Sequence, residues 1–204
     1  MKLNKLEFLA MNNPVRELIR EKYEMKMLLS QTSGRHFSNV LEIGCGNGSG
    51  TRLIQKYFSP ENIEAVDFDE RMVNKAKKRN PLSGINFQRM DAASLVFPDQ
   101  HFDAVFDFGI IHHIPDWKAC LNELKRVLKP GGELLVADLS RESFTHGSGR
   151  LWKTLTDHPY GTMYTAQEFA GYLEKIGFQI THFQATFPLR LVKYFFINAS
   201  LPVR

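Results

Sequence analysis

The segment Val40-Leu41-Glu42-Ile43-Gly44-Cys45-Gly46-Asn47-Gly48 decides how this chain is read. Val40, Leu41 and Ile43 form a short apolar run of the kind that makes a buried strand. The run ends in glycines at alternating positions, and a helix-like segment, 51–58, follows at once. Strand, glycine turn and helix is the arrangement by which α/β proteins bring backbone N–H groups close to an adenosine ligand. Glycine supplies the unusual backbone angles and puts no Cβ in the ligand's way. The spacing narrows the choice of ligand. A dinucleotide fingerprint needs Gly-x-Gly-x-x-Gly, yet the third position is Ser49 counted from Gly44 and Thr51 counted from Gly46. Glu42, directly before the glycines, suits a ligand with a cationic amino group better than a pyrophosphate.

Outward from this turn, strands and helices alternate. Segments 40–43, 63–66, 85–90, 104–108 and 133–139 read as strands, and 51–58, 70–80 and 117–128 as helices. The helix 70–80 is stopped by Pro81, Leu121, Leu124 and Leu128 share one helical stripe, and Pro130-Gly131-Gly132 reads as a turn. This order predicts a mostly parallel sheet covered by helices on both faces. Residues 1–35 read as helical, with Leu3, Leu6 and Leu9, then Val15, Leu18 and Ile19, at helical spacing, and Pro14 placed to start a second piece. Toward the other end, Thr165-Ala166-Gln167-Glu168 is a capping box opening a helix that Gly177 stops. Segments 178–185 and 192–199 then read as two strands with no helix between them. Such a pair is antiparallel, because a parallel pair needs a longer crossover.

A chain of 204 residues fits one domain. Its expected parts are an N-terminal helical lid (1–35), a ligand-binding core (36–140), and a second lid segment with the last helix and strand pair (141–204). Its 43% hydrophobic residues suffice for a core and its net charge of +4 is mildly basic. No run of five like charges marks a nucleic-acid arm. Lys75, Lys77, Lys78 and Arg79 read as one exposed helix face, since Met72, Val73 and Ala76 lie between them. Cys45 and Cys120 supply neither a disulfide framework nor a metal-ligand spacing, which suits a reducing, cytoplasmic setting. No apolar stretch approaches the roughly 18–20 residues needed to span a bilayer.

Val40–Gly48 resembles motif I of the class I S-adenosylmethionine-dependent methyltransferases, and more of residues 38–139 fits that family. Asp67 ends the second strand about twenty residues beyond the glycines, where an acid can accept both ribose hydroxyls. The alternative is a helix cap, a role Asp69 suits equally well. The resemblance implies ribose binding by Asp67, with Phe68 against the adenine. It also implies an adenine contact by Asp91 and Ala92 at the end of the third strand. Phe102-Asp103-Ala104-Val105-Phe106-Asp107-Phe108-Gly109 resembles the family's motif IV, whose carbonyls near Asp107 and Phe108 would receive the methionine ammonium. Asp107 is more acidic than the small polar residue common there, which suggests contact with the sulfonium end or a substrate cation. Leu124–Leu135, reading LKRVLKPGGELL, matches the helix, turn and strand that follow in many members. The cofactor set implied is Glu42, Gly44, Cys45, Gly46, Gly48, Asp67, Phe68, Asp91, Ala92, Asp107 and Phe108. The fold implied is a Rossmann-like α/β sheet of seven strands with an antiparallel last strand. The antiparallel tail pair supports this independently of the glycines.

The family's chemistry is methyl transfer to a small-molecule acceptor, quinone, phenolic or lipid-like. Such a site aligns the acceptor and, for an acidic nucleophile, supplies a base. His112 and His113 follow the fourth strand directly and are the candidate bases; shaping the pocket is the alternative role for both. Aromatic side chains at Tyr23, Trp152, Tyr160 and Tyr164, together with Phe8 and Met11, are candidates for acceptor contact, core packing being the alternative. The tail carries Phe187, Tyr194, Phe195 and Phe196 with Arg190 and Lys193 and no acid after Glu174. That composition fits a ribbon packed on the sheet and is compatible with transient membrane contact. A nucleic-acid substrate is not expected, since motif IV lacks the Asn/Asp-Pro-Pro-aromatic tetrapeptide of amino-directed DNA enzymes. A second class of function is a catalytically silent S-adenosylmethionine-binding regulatory or partner subunit.

Overall fold

The computed structural model describes residues 13–32, 35–145, 159–186 and 193–203. Strands β1 (Asn39–Ile43), β2 (Asn62–Asp67), β3 (Ile85–Arg89), β4 (Phe102–Asp107), β5 (Leu128–Leu139), β6 (Gln179–Thr186) and β7 (Tyr194–Ser200) form one sheet in the order β3-β2-β1-β4-β5-β7-β6. β1 to β5 pair in parallel, while β7 runs antiparallel to both β5 and β6. The expected α/β class, with its mostly parallel sheet and antiparallel last strand, is therefore found. The helices are α1 (Pro14–Ile19), α2 (Lys26–Gln31), α3 (Ser49–Phe58), α4 (Glu70–Arg79), α5 (Trp117–Val127) and α6 (Ala166–Lys175). A π-helical stretch, Arg20–Met25, joins α1 to α2.

Local chemistry accounts for most boundaries. Pro14 opens α1 at a position where its missing N–H costs nothing, and the Asn13 side chain accepts from the Val15 N–H. Asp69 caps α4 by accepting from the Arg71 N–H, and Asp116 caps α5 by accepting from Ala119. The Thr165/Glu168 box closes on α6 as expected. The Pro130-Gly131-Gly132 segment differs from expectation. It is an irregular stretch inside β5, because the Gly131 N–H donates to the Leu201 carbonyl at 2.9 Å and the Gly132 carbonyl accepts from Leu201 at 3.0 Å.

Each face of the sheet carries its own core. On one face Leu41, Ile43, Val105 and Leu134 meet Leu121 and Leu124 of α5, Phe169 of α6 and Phe195 of β7. On the other, Val40, Ala104, Phe106 and Phe196 meet Ile54 and Phe58 of α3 and Met25 and Leu28 of the N-terminal helical stretch. Neighbours along a strand point to opposite faces, so the apolar runs of β1, β4 and β5 feed both cores. The same alternation sorts the tail. Phe195, Phe196 and Ile197 are buried while most of β6 is exposed, which suits β7 to an inner position and β6 to the edge. Phe187 and Arg190 lie outside the described residues.

Phe106 is fully buried and packs against Phe37, Phe58 and Phe108. Phe106→Ala should lower the unfolding free energy by about 3–5 kcal/mol in chemical denaturation.

Candidate functional site

The carboxyl ends of β1, β2, β3 and β4 share one edge of the sheet, and a cavity of about 300 Å³ opens there. Crevices outside the carboxyl ends of parallel strands are where such sheets bind ligands. The glycine turn forms its floor. Gly44 (φ +63°) has no room for a side chain, since a Cβ would stand 2.4 Å from Ile110. Gly48 (φ +78°) turns the chain into α3 and packs against Asn80. A Cβ at Gly46 would meet nothing nearer than the Gly44 carbonyl oxygen, at 4.0 Å.

Asp67, at the end of β2, faces the turn. Its Oδ2 accepts from the Gly46 N–H at 2.8 Å and its Oδ1 from the Asp69 N–H at 2.8 Å. Because Asp69 caps α4, Asp67 is left to hold the glycine turn and face the cavity. Burial raises the Asp67 carboxyl above its ordinary range, against the pull of these two N–H groups. Asp91 follows β3 and accepts from the Ala93 N–H at 2.9 Å. Gly44, Gly46, Asp67, Phe68, Asp91, Ala92, Phe108 and His113 all line the cavity.

Other expected site residues lie elsewhere. Glu42 is 1% exposed and faces away from the cavity; Thr51 donates to its Oε2, and a Cβ on Gly50 would press to 2.1 Å of its Oε1. It locks the start of α3 beneath the turn. Cys45 and Gly48 support the turn without reaching the cavity. Asp107 is fully buried: its Oδ1 accepts from the Ile110 N–H at 2.9 Å, and its Oδ2 has no hydrogen-bond partner among the described residues. Burial, and then the neighbouring Asp138 charge, push the Asp107 carboxyl well above the usual range. Contact of this carboxyl with a sulfonium or substrate cation is thus not what the fold sets up. Tyr164 is 1% exposed and packed against Trp117 and Phe169. Tyr23 joins the N-terminal helical stretch to the last strands through Thr186, Tyr194 and Phe196. Tyr160 stacks edge-on with Phe144. Trp152, Phe8 and Met11 lie outside the described residues.

The two histidines separate. His113 lines the cavity, and His112 lies behind it with ring centroids 4.1 Å apart. Asp138, fully buried at the end of β5, gathers the donors behind them. Its carboxylate accepts from His112 Nδ1, from the His112 backbone N–H at 3.1 Å, from the Tyr164 hydroxyl at 2.6 Å and from the Leu139 N–H at 2.6 Å. Reading the sequence missed Asp138; its signal was one acid in the otherwise apolar run Leu134–Leu139.

Arg20 was also missed. It lines the cavity from the N-terminal helical stretch, which salt bridges hold across the turn: Glu17 with Arg79 at 2.7 Å and Arg52 at 3.1 Å, and Glu21 with Lys56 at 2.7 Å. The Arg79 bond holds the Glu17 carboxyl below the usual carboxylate range.

Residues 41–136 match the sequence model of a methyltransferase domain. A fatty-acid O-methyltransferase of Mycolicibacterium smegmatis is 37% identical over 99 residues, 48% of this chain and 36% of that protein. A phthiotriol/phenolphthiotriol dimycocerosates methyltransferase of Mycobacterium tuberculosis is 37% identical over 100 residues, 49% of this chain and 37% of its own length. These matches thus span little more than a third of either relative. Among solved structures, a SAM-dependent methyltransferase from Aquifex aeolicus superposes with a TM-score of 0.73 at 22% identity, covering 98% of this chain and 100% of the other. The cyclase SpnF superposes with a TM-score of 0.72 at 20% identity, covering 88% of this chain and 81% of its own.

Residues 41–136 thus resemble a methyltransferase domain, on a sheet with the fold of S-adenosylmethionine-dependent methyltransferases. The cavity fits that family's cofactor. An open glycine backbone faces it at Gly46, and acids stand at the ends of β2 and β3. Methyltransferase and cyclase share this sheet, so the fold alone does not fix the chemistry.

Glu42 gives this fold a pH-dependent stability. Burial lifts its carboxyl from an ordinary 4.5 to about 7. Between those values the folded chain holds a proton that the unfolded chain has lost. The contribution is therefore full below about pH 4.5 and lost as pH rises through 7, a fall of about 3 kcal/mol. Glu42→Gln is neutral throughout, so its denaturation free energy should fall less between pH 4.5 and pH 8 than that of the wild type.

Proposed function

We propose that the protein is a methyltransferase that uses S-adenosylmethionine to methylate a small lipid-like acceptor, and that the cavity at the glycine turn is its cofactor site. The observation that carries this reading is the placement of Asp67, bound to the Gly46 N–H and facing the cavity from the end of β2. An acid fixed beside an open glycine turn suits a ribose diol. Asp91 and Ala92 would meet the adenine edge, with Phe68 along its face. Phe108 and the neighbouring backbone carbonyls would face the amino-acid end. The cofactor supplies an electrophilic methyl group on a sulfonium. The chain's own part is to hold the acceptor in line and exclude water. A lipid-like acceptor is supported by the two mycobacterial relatives, whose names specify a fatty acid and phthiotriol dimycocerosates.

The histidines bear on which acceptor atom is used. A carboxylate acceptor is already ionised and needs no base, whereas a hydroxyl does. His113 stands on the cavity wall where the acceptor would lie, and His112, oriented by Asp138, packs behind its ring. This arrangement favours a hydroxyl-bearing acceptor, with His113 taking the proton and His112 and Asp138 as positioning residues. No described helix is long and apolar enough to cross a membrane, so an amphipathic acceptor would be met from the aqueous side or at a membrane surface.

Three measurements test the reading. Methyl transfer should be detected with long-chain alcohols or phenols in preference to long-chain fatty acids; cofactor binding with no turnover on any acceptor would instead favour a silent partner subunit. Asp67→Ala should weaken S-adenosylhomocysteine binding by about 1–3 kcal/mol in calorimetry, and affinity unchanged within twofold would restrict Asp67 to supporting the turn. His113→Ala should lower kcat by about 10²–10⁴ and remove the acid limb of the pH–rate profile while cofactor affinity holds. Asp138→Asn should lower kcat less and also alter that profile. A profile identical in wild type and both variants would leave alignment as the site's contribution.

A further inference from the structure

Asp107 is a fully buried acid of which only one oxygen is served. Its Oδ1 accepts from the Ile110 N–H at 2.9 Å, while its Oδ2, also buried, meets no donor among the described residues. An ionised oxygen left bare in such a place is costly. What it does meet is a second acid. β4 and β5 pair with Asp107 opposite Val136, so Asp138, two residues on, points to the same face of the sheet. The two carboxyls lie within hydrogen-bonding contact. Two carboxylates so placed repel, whereas an acid and a carboxylate share a proton and attract. Both acids also grip one short loop: Asp107 accepts from the Ile110 N–H, and Asp138 from the His112 N–H and from His112 Nδ1. The other ionisable groups around the pair are Arg16 of α1, His112 with His113 against it, Cys120 of α5, Tyr164 just before α6 and Tyr194 of β7. Among these, Arg16 is the fixed cation and donates to Glu24, while His112 and Tyr164 donate to Asp138. None of them serves Asp107 Oδ2.

We propose that Asp107 carries a proton on Oδ2 and donates it to Asp138, so that the pair is a single anion and Asp107 is a positioning residue for the loop 108–113. That loop brings Phe108, Ile110 and His113 to the cavity wall. Oδ1 of Asp107 seats its first half and Asp138 its second, and the shared proton holds the two seats together. Loss of the proton leaves two anions side by side behind the cavity and loosens both grips. Burial, and then the Asp138 charge, raise the Asp107 carboxyl. The stabilisation is therefore full below the ordinary carboxylate range and is lost as pH rises through the raised one. Asparagine offers the same two faces, a carbonyl for Ile110 and an N–H for Asp138, and has no proton to lose.

The test uses the full chain carrying Glu42→Gln, which removes the other acid that burial holds near neutrality, and adds Asp107→Asn or Asp107→Ala to it. Infrared spectra at neutral pH should show the C=O stretch of a protonated carboxyl that both added substitutions remove. Amide exchange read by NMR should show protection of the Ile110 and His112 N–H groups falling by up to about 10-fold per unit as pH rises from the ordinary carboxylate range. With Asp107→Asn, protection at both amides should be retained and that pH dependence should vanish, whereas Asp107→Ala should lose protection at every pH. These readings need neither cofactor nor acceptor, so they stand apart from the cofactor reading above. If the alanine variant does not fold, the infrared band and the asparagine comparison still decide. A protonated-carboxyl band that is missing, or that survives Asp107→Asn, overturns the proposal. So does a loss of protection in the asparagine variant as large as in the alanine variant, since the loop would then need the ionised oxygen.

Discussion

The turn after β1 is the constraint on which the rest of the site depends. Three glycines in the turn and the first residues of α3 are hemmed in by protein: Gly44 by Ile110, Gly48 by Asn80, and Gly50 by Glu42 and Phe108. The neighbours come from the loop after β4, the end of α4 and the core beneath the turn. Elements distant in sequence are thus packed against backbone with no Cβ between them. This close approach sets the height of the turn at the sheet edge and leaves Gly46 open toward the cavity. Asp67 then fixes the turn from the side by accepting the Gly46 N–H.

Two buried polar clusters flank that turn, and they differ in how fully they are satisfied. At the end of β5, Asp138 collects four donors from His112, Tyr164 and the backbone, so its charge is well accommodated and the histidine ring is fixed. Beside it, Asp107 keeps an unpartnered oxygen and a raised pKa, because two carboxylates cannot both ionise at such close quarters without cost. Close to it, Arg16 and Arg20 share the single carboxylate of Glu24, with Arg20 Nε 3.7 Å from Glu24 Oε2. The full complement around Asp138 is characteristic of support.

The N-terminal helical stretch connects these features. Its outer acids, Glu17 and Glu21, pair with cations of α3 and α4, and its inner side delivers Arg20. The exposed pairs contribute little stability singly. Their value lies in fixing where the stretch crosses the turn. A π-helical stretch begins at Arg20 itself, an irregularity that often marks functional positions in helices.

The amino-acid sequence by itself determined what depends on local chemistry. The alternation of strands and helices follows from periodicity, the glycine turn from composition, the caps at Asp69 and Thr165 from short-range hydrogen bonding, and the antiparallel tail pair from the lack of a crossover. Asp67 and Asp91 were legible because a strand's end places its last acid at the sheet edge. Only the tertiary structure decided the direction in which side chains point once both faces of a strand are buried. Glu42 and Asp107 both sit beside the cavity in sequence yet turn away from it, and His112 yields the cavity wall to His113. It also decided contacts made across long separations. Arg16, Arg20 and Glu24 are spaced four apart in sequence, and it is the folded sheet edge that buries Arg20 and Glu24. Asp138 gains its role only when β5 lies beside β4 and Tyr164 folds back onto it. Periodicity encodes which faces are apolar, but a partner brought in from far along the chain decides what each polar group on those faces does.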